Sequence, residues 1–480
     1  MLKSAVDLYK EIQDLGIANA YTLFYLTDVY CAFHRIQDAL HTRDFMATTL
    51  GAVPLQIHTR IIDQCVKQRE MDLAWQLFHE VRTLFSQEPD VVLYSLMIHA
   101  CAEQGDAERA RTLFQEMTER GVPTNTYTFN SLLHSFAKRS DMYTEIWECL
   151  LKMRQLGFKP DIYTYSTLIQ ATSRQGDLER MRLVLRQLWT QVVKRRTVKE
   201  DSLNLQVALI HALHTYAATT KNLSSSNNDA TDDIFNERFR ENTAMTIKDQ
   251  VNFDLDLDLD TLPATHEAIM QESFGVYHSY LKLVAAGKAD LPKHALVTGV
   301  LSVLAEHGTK TQVAEFAKTE YERYSLKLNG TDYQLLLRAY GRAEDTAMLW
   351  KTWKSMKNFW KERLPNHLAT NGDKPKDRFQ AYKTMVNALA RANQVGKAVR
   401  LLQEWCEASW TGLNTSTQYP SPQLHDVRLL YIKSFQTEDD VARLMIMKLC
   451  PPADGQPIPG IPVPRNFQRE VHRLQQSLGL

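Results

Sequence analysis

The chain has 480 residues, 44% hydrophobic and 23% charged, so it can bury a substantial core and is not disordered as a whole. The chain has 56 lysines and arginines and 56 aspartates and glutamates. It therefore has no net positive charge that would attract a polyanionic partner. The charge is unevenly distributed along the chain. Residues 222–260 hold ten acids and three bases, a net charge of −7, so the remaining residues carry a net charge of +7.

The N-terminal segment resembles the end of a repeat that occurs again further along the chain. LYKEIQDLGIANAYT, from Leu8, matches LFQEMTERGVPTNTYT, from Leu113, so we expect the chain to open inside the second helix of a repeat. The first 16 residues include three acids, whereas transit peptides are poor in acids and rich in arginine. No run of about 18 apolar residues predicts a membrane span. Residues 1–54 are predicted to be degenerate N-terminal repeats.

The clearest repeats lie in residues 55–200. VVLYSLMI, from Val91, returns as TYTFNSLL from Thr126 and IYTYSTLI from Ile162, which are spacings of 35 and 36 residues. Apolar residues at helical spacing predict a first helix, and a second group follows the Gly-Asp pair at 105–106. The two groups fall at 94, 97, 98 and 101, and at 110, 113, 114 and 117. Each unit is therefore predicted to be a helix, a tight turn, a second helix and a Gly/Pro stop, with one extra residue near 140–143.

Three of the six cysteines follow the same period. Cys31, Cys65 and Cys101 are spaced by 34 and 36 residues, which indicates a small buried residue at one repeated position. No two cysteines form a CxxC pair, so zinc-binding and thioredoxin-like proteins are not supported.

Residues 201–266 are predicted to hold one degenerate helix and an insertion. Residues 201–216 have the pattern of a first helix, but no clear second helix follows. Residues 220–262 are polar and acidic, which predicts a mostly disordered insertion. Its FDLDLDLD run at 253–260 lacks the glycine and the closing glutamate of a calcium-binding loop, so we interpret it as a solvated acidic loop.

Helical patterns return in residues 267–450, which are predicted to be degenerate C-terminal repeats. Glycines at 275, 287, 308 and 341 are expected at helix ends or turns. The segment WKTWKSMKNFWKERL (350–364) places three tryptophans near one face of a second helix, which favours core packing beside a solvated or protein-binding face. Residues 451–480 are predicted to be a proline-rich strap and a terminal helix. No segment alternates long enough to predict a sheet. The fold is expected to be an all-α, right-handed α-solenoid of helix-turn-helix repeats of about 35 residues.

The repeats resemble those of the pentatricopeptide repeat family. Their first helices carry Tyr/Phe-Asn/Ser-x-Leu-Ile and their ends carry Gly-x-x-Pro-Asp/Asn, whereas tetratricopeptide repeats have an early tryptophan. The resemblance is good over residues 55–190, weaker over 1–54, and rests on helical pattern alone over 267–410. It implies a reader of single-stranded RNA that contacts one base with each repeat.

The resemblance also implies which residues contact bases. In each repeat these are the fifth residue, which follows the aromatic, and the closing residue, which precedes the next repeat. The pairs are Thr59 with Asp90, Ser95 with Asn125, and Asn130 with Asp161, while Ser166 begins a fourth whose closing partner is lost. By resemblance they favour G, A and U, with the RNA 5′ end toward the protein's N-terminus. Independently, asparagine offers a donor and an acceptor that suit a pyrimidine, and the shorter serine or threonine leaves room for a purine.

Two further rows of residues are implied by the resemblance. The second residue of each repeat is expected to wedge between bases, and the thirteenth to meet phosphates. The alternatives are packing against the preceding repeat and ordinary solvated charge. The wedge row is Gln56, Val92, Tyr127 and Tyr163, and the thirteenth row is Lys67, Glu103, Lys138 and Arg174, of which the three cations are candidates.

The resemblance implies a mitochondrial protein that binds single-stranded RNA and acts in transcript stability, processing or translation. Other organellar RNA-processing or ribosomal proteins are possible partners on this view. The alternative is a protein–protein scaffold, such as a component associated with an organellar ribosome. No Walker loop, GxSxG, HExxH, or His-x-Glu with CxxC occurs, so we expect no catalytic residues, no metal site, no cofactor and no enzyme activity.

Overall fold

The computed structural model describes residues 19–195, 198–219, 262–363, 375–410 and 422–450. Within these ranges it contains twenty α-helices, one short 3₁₀ helix and no strand, which confirms the all-α prediction. The predictions for the first 18 residues, for the acidic insertion and for the proline-rich strap lie outside the described residues. Contacts divide the chain into two compact units, Met1–Gln175 and Gly176–Leu480.

The first unit consists of consecutive helix pairs. Its helices are α1 (Ala20–Ala32), α2 (Ile36–Leu50), α3 (Leu55–Gln68), α4 (Met71–Thr83), α5 (Val91–Gln104), α6 (Ala107–Glu119), α7 (Thr126–Ala137), α8 (Tyr143–Gln155) and α9 (Ile162–Gln175), with the 3₁₀ helix Ser140–Met142 before α8. The extra residue expected near 140–143 is therefore accommodated by a 3₁₀ turn.

The pair α5–α6 shows why this sequence forms these elements. Asp90 caps α5 by accepting from the Leu93 amide at 2.9 Å, and Gly105 ends the helix in the left-handed region with φ of 77°. Asp106 then caps α6 by accepting from the Arg109 amide at 3.0 Å. The apolar residues predicted for the two helix faces are all buried: Tyr94, Met97, Ile98, Cys101, Ala110, Leu113, Phe114 and Met117. The predicted helix-turn-helix unit is confirmed.

The first helices of successive pairs pack on one another. In the first unit α1 contacts α3, α3 contacts α5, α5 contacts α7 and α7 contacts α9. Equivalent residues of these helices consequently lie in rows along one face, as in other repeat proteins. The cysteine row is one of them. Cys31, Cys65 and Cys101 are buried, and burial raises the pKa of the Cys65 and Cys101 thiols to about 12.

The second unit repeats the arrangement. Its helices are α10 (Leu178–Lys194), α11 (Ser202–Ala218), α12 (His266–Ala285), α13 (His294–His307), α14 (Lys310–Arg323), α15 (Gly330–Arg342), α16 (Thr346–Arg363), α17 (Pro375–Arg391), α18 (Val395–Trp410), α19 (Arg428–Gln436) and α20 (Asp440–Leu449). Here α11, α13, α15, α17 and α19 form the succession of first helices, each contacting the next. None of the helices in the described ranges is long and apolar enough to cross a membrane.

The second helix that the sequence did not reveal for α11 is α12. These two helices are in contact although residues 219–265 separate them, and both contact α13. The inserted residues therefore lie between the two helices of one repeat. The contact of α11 with the next first helix is preserved.

Aromatic residues and one close helix approach define the core of the later repeats. Trp353 and Trp360 are buried with their ring centroids 5.6 Å apart, and Tyr382 lies 5.0 Å from Trp353 and 6.0 Å from Trp405, so core packing is confirmed for these tryptophans. A Cβ on Gly341 would overlap the Cβ of Ala388, so this glycine permits α15 and α17 to pack closely. Gly275 lies inside α12, so its prediction as a helix end is wrong.

Candidate nucleic-acid interface

A groove runs along the first-helix face of the first unit. It encloses about 610 Å³ between α1, α3, α5 and the start of α7. Of the predicted residues, the groove brings together two fifth–closing pairs and three wedge residues: Gln56, Thr59, Asp90, Val92, Ser95, Asn125 and Tyr127. Since a 35-residue spacing separates them in sequence, only the stacking of repeats places them side by side. The other predicted residues lie outside the lining of the groove: Asn130, Asp161, Tyr163, Ser166, Lys67, Lys138 and Arg174.

The closing residues have a structural role besides the predicted one. Each is the N-cap of the next first helix, with a side-chain oxygen accepting from a backbone amide three residues later. Asp90 accepts from Leu93 at 2.9 Å, Asn125 from Thr128 at 2.8 Å, and Asp161 from Thr164 at 2.8 Å. Capping therefore restricts this position to a few residue types and fixes where the side chain lies.

Two of the fifth residues, Ser95 and Asn130, are held by the next repeat. Ser95 Oγ lies 2.6 Å from Thr128 Oγ1, and the Thr164 hydroxyl donates to Asn130 Oδ1 at 2.7 Å. Both Ser95 and Asn130 are buried, as is Ser166 in α9. Thr59 is half-buried and donates to the Leu55 carbonyl at 3.0 Å. These contacts restrict the rotamers of the side chains, so little conformational entropy is left to lose on binding.

The wedge residues reach solvent while contacting the preceding repeat. Tyr127 is 52% exposed, and its ring centroid lies 6.0 Å from that of His99. Tyr163 is half-buried and lies 6.3 Å from His134 in the same way. Partial burial raises the pKa of both tyrosine hydroxyls. Val92 is exposed. Each tyrosine thus packs on the preceding repeat at one edge and keeps area available for a ligand.

Two of the three cations at the thirteenth position contact the preceding first helix. Lys138 Nζ donates to the Ala102 carbonyl at 2.7 Å, and an Arg174 guanidinium N–H donates to the Ala137 carbonyl at 2.9 Å. These carbonyls belong to the last turns of α5 and α7, where helix carbonyls lack an intrahelical donor. Lys67 instead pairs with Asp63 at 2.6 Å. All three side chains retain further N–H groups after these contacts.

Charges surround the Lys138 amine. Glu103 lies 3.6 Å from it and 3.5 Å from the His134 imidazole. Burial acts to raise the pKa of Glu103, but the nearby positive groups outweigh it and the pKa is lowered overall. Burial, followed by the charge of Lys138, lowers the pKa of His134.

The groove contains residues that the sequence analysis did not select. Phe24 and Asp28 of α1, together with Arg60 and Asp63 of α3, also line it. Tyr21, outside the lining, is 78% exposed. The sequence could have identified Tyr21 as a wedge residue. It lies two positions after the helix cap Asn19, as Tyr127 lies two positions after the cap Asn125. In the described part of the chain no three His, Cys, Asp or Glu side chains are grouped to hold a metal ion.

Comparisons with known proteins match several parts of the chain. Models of the PPR repeat family match residues 89–138, of the pentatricopeptide repeat domain residues 149–194, and of the PPR repeat residues 380–409. The first two matches cover the repeats that form the sequence pattern described above. The third lies in α17 and α18.

Two curated proteins are similar to parts of this chain. The mitochondrial 15S rRNA processing factor ppr3 of Schizosaccharomyces japonicus is 23% identical over 83% of this chain and 62% of its own length. The mitochondrial 15S rRNA processing factor CCM1 of Yarrowia lipolytica is 29% identical over 35% of this chain and 22% of its own. The chain thus spans less than two thirds of the length of these relatives.

A solved structure is also similar. The crystal structure of the pentatricopeptide repeat protein PPR10 with an 18-nt psaJ RNA element is 17% identical, covers 98% of this chain and 63% of that chain, and has a TM-score of 0.47. Together, the three family matches and the helices that they cover show that residues 89–138, 149–194 and 380–409 are repeats of the pentatricopeptide repeat family.

Proposed function

We propose that this protein binds single-stranded RNA in the groove of the first unit and acts in mitochondrial RNA metabolism. The observation that carries the proposal is the order of the groove residues: fifth, closing and wedge residues of successive repeats line one continuous surface. A surface with one polar pair and one wedge for each repeat suits a strand of unstacked bases.

The relatives favour a role in RNA processing. Two of them are named as processing factors of mitochondrial 15S rRNA, and one of these aligns with most of this chain. We therefore propose a mitochondrial location and a structured-RNA precursor as the target class, with the single-stranded segment held by the groove. Binding alone suffices for such a role, because an occupied segment is unavailable to nucleases and to competing base pairing. Imaging of the full-length protein in cells tests the location.

The proposed base order follows the repeats. The pair Thr59–Asp90 would favour G, Ser95–Asn125 would favour A, and Asn130–Asp161 would favour U. The hydrogen bonds that hold Ser95 and Asn130 support this assignment, since a fixed side chain presents a fixed edge to a base.

Selection from a random pool of single-stranded RNA, followed by sequencing, tests the proposal. We expect an enriched core containing GAU, bound more weakly as salt rises because phosphate contacts release counterions. The Asn130→Ser variant serves as the matched control and should change only the last base of the core. Absence of salt-sensitive binding to any RNA would overturn the proposal.

A protein scaffold is the second candidate, and the charge of the groove favours it. Asp28, Asp63 and Asp90 line the groove together with one cation, Arg60, so a basic peptide would be attracted to it. In that case a basic partner would be recovered with the wild-type chain and lost with Asp28→Asn/Asp63→Asn. The same variant would leave RNA binding unimpaired if the leading proposal is correct.

A further inference from the structure

A pair of cysteines lies where the last two helix pairs of the described chain meet. Cys406 belongs to α18, and Cys450 is the residue that ends α20, the second helix of the following pair. These two helices are in contact. The Cys406 thiol donates to the carbonyl of Leu449, the residue before Cys450, at 4.0 Å. Two cysteines that are 44 positions apart in sequence are therefore adjacent in the fold.

The two thiols are hydrogen-bonded to each other, and this bond gives them different acidities. Cys450 donates to the Cys406 sulfur, which lowers the pKa of Cys406 although burial acts to raise it. The same bond, followed by burial, raises the pKa of Cys450. Cys406 therefore holds the larger share of thiolate, which is the form of cysteine that acts as a nucleophile.

The other four cysteines of the chain have the opposite property. Burial raises the pKa of Cys31 to about 11 and the pKa of Cys65, Cys101 and Cys149 to about 12. Thiols of this kind are almost entirely protonated near neutral pH and react slowly. The structure describes all six cysteines, and Cys406 is the one whose pKa is lowered.

The two sulfurs also differ in access. Cys406 keeps 8% of its surface exposed and is followed by the exposed Glu407, whereas Cys450 is fully buried. A small oxidant in solution therefore meets Cys406 first, and Cys450 is in place to react with the product. A thiol of lowered pKa beside a second cysteine that resolves the oxidised form is typical of redox-sensitive sites.

We propose that Cys406 and Cys450 form a reversible disulfide on exposure to hydrogen peroxide, and that this bond fastens α20 to α18. The Cys406 sulfur attacks one peroxide oxygen, the O–O bond breaks, and the departing hydroxide takes the Cys406 proton to become water, which leaves a sulfenic acid on Cys406. The Cys450 sulfur then attacks the Cys406 sulfur, the S–O bond breaks, and the second hydroxide leaves with the Cys450 proton as water. Two thiols together lose two electrons, and one peroxide is reduced to two waters.

The disulfide changes how the last helix pair is held. Thiol–disulfide exchange with two molecules of glutathione returns both cysteines to thiols and forms glutathione disulfide. Until then the covalent loop includes the whole of α19, so opening of the α19–α20 pair away from α18 becomes less favourable. Neither cysteine lines the groove of the first unit, so the inference is independent of the proposed RNA binding.

Peptide mapping of the full chain tests the inference. The protein is incubated with hydrogen peroxide, blocked with an alkylating agent and digested with trypsin without reduction. Trypsin cleaves after lysine and arginine, which places Cys406 in peptide 401–428 and Cys450 in peptide 449–465. We expect the two peptides to be linked after oxidation and separate again after glutathione is added. A mixture of isotopically labelled and unlabelled chains shows whether the link lies within one molecule.

Three single variants supply the controls: Cys406→Ala, Cys450→Ala and Cys149→Ala, of which the last removes a buried thiol from α8. The linked peptide should be lost in the first two and retained in the third. In Cys450→Ala, dimedone should capture sulfenic acid on Cys406 roughly tenfold more than on Cys450 in Cys406→Ala. Circular dichroism before oxidation confirms that each variant is folded.

Limited proteolysis measures the effect on the helix pair. Peroxide should slow cleavage within α19 and α20 roughly tenfold in the wild-type chain and in Cys149→Ala, and leave it unchanged in the two variants of the pair. Unchanged cleavage of the linked wild-type protein would overturn the fastening of α20 to α18.

Two outcomes of the mapping would overturn the disulfide itself. One is that peptides 401–428 and 449–465 stay separate in the oxidised wild-type chain, a result that needs no variant. The other is a link found only between a labelled and an unlabelled chain, which would assign the bond to two molecules. RNA enters none of these measurements, so their outcome is distinct from success or failure of the proposed function.

Discussion

The Asn130 side-chain amide donates to both carboxylate oxygens of Asp161, at 3.3 and 3.2 Å. The two residues are the fifth and closing residues of one repeat, 31 positions apart. Asp161 Oδ1 also caps α9 through the Thr164 amide. One carboxylate therefore orients the Asn130 amide and caps the next first helix.

Replacing Asn130 by serine should change the third base that the protein prefers. Asn130→Ser leaves a serine beside Asp161, which resembles the Thr59–Asp90 pair, so we expect the preference to change from U to G. The expected change in relative affinity is about tenfold, within the range of one good polar contact to a base. Competition between RNAs that carry GAU and GAG measures it. An unchanged order of affinities would contradict the assignment of this pair.

The closing residue Asn125 allows helix capping and base reading to be separated. Asn125→Ala removes the cap of α7 and should cost about 1 kcal/mol of stability. Asn125→Asp keeps a capping oxygen, so stability should change little while the preferred second base changes from A to G. Denaturant unfolding and RNA competition measure the two effects.

Amide hydrogen exchange supplies the local control for these variants. The Thr128 amide donates to the Asn125 side chain at 2.8 Å, so it should exchange faster in Asn125→Ala and at the wild-type rate in Asn125→Asp. Faster exchange in both variants would show that aspartate does not cap α7, and the comparison of base preference would lose its basis.

Lys138 is expected to stabilise the repeat junction and to contact phosphate. Lys138→Gln can still donate to the Ala102 carbonyl but has no charge, so stability should be retained while the slope of log K against log salt falls by about 0.7. Lys138→Met removes the donor as well and should also lose about 1 kcal/mol of stability. Salt titrations and unfolding curves distinguish the two. A slope unaffected by either change would leave Lys138 with the structural role alone.

Tyr127 is predicted to stack on a base with its exposed face. Tyr127→Ala should weaken RNA binding by about 1–3 kcal/mol, whereas Tyr127→Phe keeps the ring and should bind almost as wild type. Because the side chain is 52% exposed, neither change should unfold the protein. Equal affinity of all three proteins would show that the ring serves only its contact with His99.

Stability of the first unit should decline in acid because of His58. Burial, followed by the charge of Arg43, lowers the pKa of His58 to about 4, below its usual 6.5. A depressed pKa means that folding excludes a proton, so this stability is fully present above pH 6.5 and is lost as pH falls through 4. The loss is about 3 kcal/mol. Unfolding midpoints between pH 7.5 and 4 should fall less steeply for His58→Leu. Parallel curves for the two proteins would exclude His58 as the cause.

The helices of residues 91–175 were predictable because each carries its own caps, glycine stops and apolar spacing. The pairing of α11 with α12 was not, since periodicity describes one segment and gives no information about a partner that begins 48 positions after α11 ends. The same distinction applies to function. The fifth and closing residues could be located from the 35-residue repeat spacing, but the contact of Lys138 with the Ala102 carbonyl arises from packing between repeats.

The position of residues 219–265 shows where this architecture tolerates change in length. The free energy of closing a loop grows only with the logarithm of its length, so replacing these residues by a turn of about six would alter stability by about 2 kcal/mol. A residue added between the closing residue Asp161 and the next fifth residue, Ser166, would instead turn Ser166 away from its place on the first-helix face, because both lie at the start of α9. Length can therefore vary inside a repeat at the turn between its helices, while the spacing from a closing residue to the next fifth residue is fixed.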